Sequence, residues 1–164
     1  MSSFDRRKFL LTGCAAGLAG CGFTPAYGPG GSAAVLRNAV RVDAPDSRDG
    51  FQLTRALENR LGRAADARYG LSYSIRTTAD PIAISANNVT LRYNLLGNVT
   101  YALRDLEDGA VVTSGKAESF TSYSASGSTV ATQSAERDAR ARLMTILAEQ
   151  IVTRLIAAAP GRPA

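Results

Sequence analysis

The sequence predicts an α+β fold, a two-layer sandwich with two helices packed on one face of a four-stranded mixed sheet. Three observations lead there. The sixteen residues Val89–Arg104 alternate apolar and polar, a period that strands show and helices do not. Leu143, Leu147, Ile151 and Leu155 recur every fourth residue, the spacing of a helical stripe. A strand, a helix and a strand precede both. Each helix then has one apolar stripe and each strand one apolar face, and stacking the two layers buries them together.

Taken in order, Val40 and Val42 flank Arg41 in a short strand that ends at Asp43-Ala44-Pro45. Asp49 is placed to cap a helix carrying Phe51, Leu53, Leu57 and Leu61, with Arg55, Glu58 and Arg60 on its surface. Leu71, Tyr73 and Ile75 alternate with Ser72, Ser74 and Arg76 in a half-buried strand. If the first two strands share the sheet directly, a strand–helix–strand connection makes them parallel. In the long alternating segment Val89, Leu91, Tyr93, Leu95, Val99, Tyr101 and Leu103 take the odd positions, interrupted by Gly97. Thr90, Arg92, Asn94, Asn98, Thr100 and Arg104 lie between them on the other face. Asp108-Gly109 signals a turn, and Val111 to Tyr123 returns as a polar strand suited to an edge, with Lys116 and Glu118 on one side of it.

From about Ser134 the period becomes helical, with Ala139, Met144 and Ile146 broadening the stripe. Glu136–Arg140 and Asp138–Arg142 stand four apart with the acid first, the favourable orientation. Acids near the start and Arg154 near the end suit the helix dipole. Residues 35–159 thus read as one domain and 160–164 as a disordered tail. The pattern leaves strand order open.

Composition narrows the chemistry. The 164 residues include no histidine and two cysteines, Cys14 and Cys21, both near the start. Beyond residue 21 there is no thiol nucleophile, disulfide or thiolate metal site. The residue type most used for acid–base catalysis and metal binding is missing altogether. Glu107 and Asp108 are adjacent acids, but they sit in the apparent turn. We therefore expect no catalytic residues, no metal and no enzyme; a hydrolase working with carboxylates is the disfavoured reading. After residue 20 there are 16 Lys plus Arg against 13 Asp plus Glu, and Lys116 is the one lysine among them. The arginine bias fits either a GC-rich genome or a need for planar phosphate-gripping donors.

The first residues carry an address. Arg6-Arg7-Lys8 precede an apolar run, Phe9 to Leu18, and Leu18-Ala19-Gly20-Cys21 closes it. The run is about half of the ~20 residues a spanning helix needs, so residues 1–20 read as an export signal. Leu-Ala-Gly-Cys resembles the bacterial lipobox, which implies S-diacylglycerol and N-acyl (palmitate-type) chains on Cys21. Cys14 stands too close to Lys8 to be the acylated residue. Arg6-Arg7 with Phe9-Leu10 also resembles the twin-arginine motif, though Asp5 departs from it and export by either the general or the twin-arginine route fits. Residues 21–34, rich in glycine and proline, form a flexible tether. Gly22 rather than Asp after the cysteine points to the outer membrane.

Pro81-Ile82-Ala83-Ile84 is an apolar patch where two strands should connect. Either the strands run long and Ile82 and Ile84 extend the core face, or a projecting loop offers Pro81, Ile82 and Ile84 to a partner or lipid. In the second arrangement Arg76 and Arg92 lie near the tip and contact phosphate.

The lipobox, the start Cys21-Gly22-Phe23-Thr24-Pro25-Ala26-Tyr27-Gly28 and the order strand, helix, three strands, long helix resemble the lipopolysaccharide-assembly lipoprotein family, LptE, in its alphaproteobacterial form. The resemblance implies a non-enzymatic outer-membrane lipoprotein on the periplasmic side. It would plug the LptD β-barrel, assist its assembly and bind lipopolysaccharide during insertion into the outer leaflet. Its partners would be the barrel, lipopolysaccharide and, through the anchor, the membrane, with no nucleic acid and no cofactor besides the acyl groups. Arg76, Arg92 and Lys116 are the candidate anion-binding residues. A lipoprotein accessory of a lipid-trafficking ABC transport system is the alternative.

Overall fold

A computed structural model describes residues 31–84, 89–125 and 127–159. Cys21, the signal and residues 160–164 lie outside them. The elements run α1 (Ser32–Leu36), β1 (Val40–Val42), α2 (Arg48–Leu61), β2 (Tyr69–Ile84), β3 (Thr90–Asp105), β4 (Val111–Ser124) and α3 (Thr129–Ala158). The four strands lie in sequence order, β1-β2-β3-β4. β1 pairs parallel with β2, as the strand–helix–strand start predicts, and the other pairs are antiparallel. The two long helices cover one face, so the expected two-layer sandwich is the fold.

Odd residues of β2, β3 and β4 meet the helices. Leu71, Leu95, Val99, Tyr101 and Leu103 are buried against Leu53, Leu57, Leu143, Leu147, Ile151 and Leu155. Gly97, the gap in the alternation, lies where α3 crosses β3. A Cβ built there would stand 2.8 Å from Leu143 Cδ2 and 2.9 Å from Leu147 Cδ1, so the absence of a side chain lets the helix sit close. The buried Thr54 hydroxyl is satisfied by the Tyr73 hydroxyl at 2.8 Å, which joins α2 to β2.

Several expectations change in detail. α1 was not anticipated: residues 32–34, assigned to the tether, open this short helix, because Leu36 is fully buried and holds it on the core. Ser47 rather than Asp49 caps α2, its Oγ accepting from Gly50 N at 3.0 Å. Phe51 is 55% exposed, because the buried stripe of α2 runs through Gly50, Leu53, Thr54, Leu57 and Leu61. Gly62, at φ +79°, ends α2 in a conformation that disfavours any other residue. α3 starts at Thr129, capped by Ser128, earlier than the apolar period reveals. Its first turn holds no acid and its last turn no base, so the dipole assignment fails. Arg154 instead reaches across the edge of the sheet to the Lys116 carbonyl, and Gln150 donates to the Glu118 carbonyl at 3.3 Å. These side chains occupy part of the β4 edge, which would otherwise offer free pairing groups.

Candidate functional site

The face of the sheet turned away from the helices is uncovered. On β2, β3 and β4 the even residues form cross-strand rows there: Ser74–Thr100–Lys116, Arg76–Asn98–Glu118 and Thr78–Leu96–Phe120. Most of these side chains are small and polar. Leu96 and Phe120 are the exceptions, paired across β3 and β4 and exposed by 43% and 67%. Together with Arg76, Thr78, Asn98 and Glu118 they line a shallow cleft of about 450 Å³. A cation beside two apolar side chains suits an amphipathic anion.

Lys116 is not a free cation. Its Nζ stands 2.5 Å from Glu118 Oε1, which also accepts from Asn98 Nδ2 at 2.6 Å. Lys116 foremost, then Asn98, hold the Glu118 carboxyl below the ordinary glutamate value of 4.5. The folded-state value is depressed, so what this contact stabilises is present above the ordinary glutamate range and fades as pH falls through the lowered value. In a carboxyl-detected NMR titration, Glu118 should titrate below the ordinary glutamate value and move up toward it in Lys116→Ala. Equal midpoints in both proteins would show that the pair does not form in solution.

Arg76 is exposed and forms no ion pair among the described residues. It lies opposite Asn98 at mid-strand, not at the hairpin tip. Arg92, also exposed, shares this face but stands six positions along β3 from Asn98, roughly 20 Å away. Arg76 and Lys116 therefore share one neighbourhood, on the order of 10 Å across, and Arg92 belongs to another.

That second neighbourhood is the hairpin of β2 and β3. β4 pairs only as far as Arg92↔Ser124, so beyond it the sheet narrows to two strands. β2 continues through Pro81 to Ile84, with register shifts between Pro81 and Ala83 and between Ala83 and Ile84. The connection is thus mostly strand, as the long-strand reading expected. Ile82 does not extend the core, however: it is 50% exposed and stands at the register shift between Pro81 and Ala83. Pro81 is also exposed, and Ile84 pairs with Thr90 in the ladder. Val89 and Leu91 are exposed by 54% and 38%, so the ribbon is apolar at its end. At its base Tyr93 stacks on Tyr123 with ring centroids 5.3 Å apart.

Leu96 and Phe120 were missed in the sequence. The available signal was a break of parity: Leu96 is a large apolar residue at an even position of the alternation. The described residues hold no group of three or more His, Cys, Asp or Glu placed to bind a metal, and no helix among them is long and apolar enough to cross a membrane.

The family model for LptE, lipopolysaccharide-assembly, matches this chain over residues 37–155. The chain belongs to the LptE family. No curated protein sequence matches it. Among solved structures, a lipoprotein from Caulobacter crescentus CB15 is similar with a TM-score of 0.65 at 23% identity, over 77% of this chain and 93% of that one. Rare lipoprotein B from Shewanella oneidensis is similar with a TM-score of 0.57 at 15% identity, over 73% and 92%. A minor lipoprotein from Acinetobacter baumannii follows with 0.53 at 17%, over 77% and 95%. At these identities the structures show that the LptE-family chain shares their fold. The family is one of lipopolysaccharide-assembly proteins, which agrees with the resemblance drawn from the N-terminal motif and the element order.

Proposed function

We propose that this LptE-family chain is an outer-membrane lipoprotein, acylated on Cys21, that plugs an LptD-type β-barrel from the periplasmic side, assists its assembly and helps insert lipopolysaccharide into the outer leaflet. The role is non-enzymatic. The observation that carries it is the uncovered sheet face. A barrel lumen is polar, and Ser74, Thr78, Asn94, Asn98 and Thr100 present small hydrogen-bonding groups to it. Lipopolysaccharide combines phosphates with acyl chains, and the cleft of Arg76, Leu96 and Phe120 offers one contact of each kind. Lys116, neutralised by Glu118, contributes less than Arg76. Arg92 with Pro81 and Ile82 of the ribbon forms a separate contact surface at the end of the hairpin.

Depletion tests this reading. Loss of the protein should remove both the mature barrel and surface lipopolysaccharide, and the tagged protein should copurify with one barrel. Complementation by a variant carrying Arg76→Glu and Phe120→Ser should restore the barrel but not normal surface lipopolysaccharide. An intact barrel and unchanged lipopolysaccharide after depletion would refute the proposal and favour an accessory role in a lipid-trafficking ABC system.

A further inference from the structure

The two edges of the sheet differ. At β4 the Lys116 and Glu118 carbonyls are taken by Arg154 and Gln150. On the other side β1 covers β2 only from Tyr69 to Leu71. Tyr69 N donates to the Ala39 carbonyl and the Leu71 carbonyl accepts from Asp43 N at 3.0 Å, so the odd residues of β2 turn their backbone groups outward. The next donor in that series is residue 45, a proline without an N–H, and β1 has ended. Beyond it β2 pairs with β3 alone, in unbroken register as far as Pro81. The outward N–H and C=O groups of Ile75, Thr77 and Ala79 have no partner among the described residues. Pro81 is also outward and closes the stretch, because it has no N–H to offer.

An open edge templates pairing with another chain, and folded proteins blunt it with prolines, charges or covering groups. Here Pro45 and Pro81 stand at the two ends, and no described side chain bonds to the backbone between them. The strand itself is held in place: Tyr73 is tied to Thr54, and Thr77 Oγ1 accepts from Arg140 Nη1 at 3.2 Å. A fixed, unpaired edge is the arrangement that accepts an added strand through main-chain bonds. Asp80, exposed and without an ion pair among the described residues, lies at the end of the stretch and favours a cation on that strand. A second copy of the chain fits less well. The antiparallel register that sets Arg76 opposite Asp80 also sets Ile75 opposite Pro81, which has no N–H to return.

We propose that β2 takes up a fifth strand along Ile75 to Ala79: an extended segment of the barrel chain that lies outside the barrel wall, turned into the lumen, with a basic residue beside Asp80. Strands within a closed wall are bonded on both sides, so only a segment outside it has backbone groups to give. The identity of the partner rests on the plug reading above; the direction of the outward groups does not.

Hydrogen exchange of the purified lipoprotein, alone and in its barrel complex, tests the pairing residue by residue. The amides of Ile75, Thr77 and Ala79 should slow roughly five- to tenfold in the complex, the equivalent of one backbone hydrogen bond each. Those of Ser74, Arg76 and Thr78, already turned to β3, should change less. Ala79→Pro removes one outward N–H and should lower barrel copurification about fivefold, whereas Ala79→Ser keeps that group and should not. Circular dichroism should show both variants folded, since the outward N–H serves no bond within the fold. Asp80→Lys should lower copurification about threefold; no change would overturn the basic residue. Equal exchange of the odd amides in both states, or equal copurification by Ala79→Pro and Ala79→Ser, would overturn the pairing and leave the plug reading intact. Protection of the same amides in the lipoprotein alone, rising with its concentration, would overturn it and assign the edge to a second copy. Failure of the unaltered lipoprotein to bring down any barrel would refute the plug reading and this pairing with it.

Discussion

Replacing Leu143 with alanine is expected to lower folding stability by about 2–5 kcal/mol, the range for truncating a fully buried leucine. Leu143 has no exposed surface and rests on Gly97, where α3 crosses β3. Gly97→Val should act in the opposite sense geometrically and in the same sense energetically. Its Cβ would enter the space of the Leu143 and Leu147 methyl groups, both on fully buried side chains, and overpacking of this kind costs about 1–3 kcal/mol. Because one change removes atoms where the other adds them, the double variant should be more stable than the sum of the single losses implies. Urea unfolding of the three proteins measures this. Strict additivity would mean that the helix does not contact Gly97 in solution. Loss of more than one methyl-sized contact here also threatens function, since α3 supports the strand that carries Leu96 and Asn98 on the open face.

The second large effect belongs to Arg140. Its guanidinium reaches Asp49 Oδ2 at 2.9 Å, Thr77 Oγ1 at 3.2 Å and Glu136 Oε1 at 3.0 Å. It thereby ties α3 to the first turn of α2 and to β2. Burial alone would lower its pKa, but the hydrogen bonds and charges of Glu136 and Asp49 outweigh that and raise it. The Asp49 side chain is only 16% exposed, so Arg140→Ala leaves a poorly solvated carboxylate without its cation. A cost of about 1–3 kcal/mol is expected, as for other buried groups that lose a charged hydrogen-bond partner. Arg140→Lys should recover part of it, because a single ammonium does not reproduce the planar fork that serves three acceptors. Glu136→Ala should cost well below 1 kcal/mol, since that pair is a more exposed i,i+4 contact. If Arg140→Ala and Glu136→Ala prove equally mild, the link to Asp49 carries no stability.

The i,i+4 rule placed two ion pairs on α3, and only one forms. Glu136–Arg140 closes at 3.0 Å, helped by the fixed positions of Asp49 and Thr77. Asp138 and Arg142 form no ion pair among the described residues; both are exposed, and water competes for them.

The sequence by itself determined the four strands, the two long helices, most of their buried faces and the family. Period-two alternation cannot be satisfied by a helix, a stripe every fourth residue cannot be satisfied by a strand, and each has one apolar side to bury. Those constraints are local, so one chain suffices to read them. The layered α+β arrangement and the parallel start followed from the same patterns. Only the tertiary structure decided what depends on residues distant in sequence. It set the strand order, joined Asp49 to Arg140, neutralised Lys116 with Glu118, and brought α3 onto Gly97. It also separated Arg76 from Arg92, which a projecting loop would have placed together, because the register puts one at mid-strand and the other near the end. Phe51, grouped by its spacing with Leu53, Leu57 and Leu61, is exposed for a related reason: a helix has only one face toward the sheet, and those three leucines already occupy it.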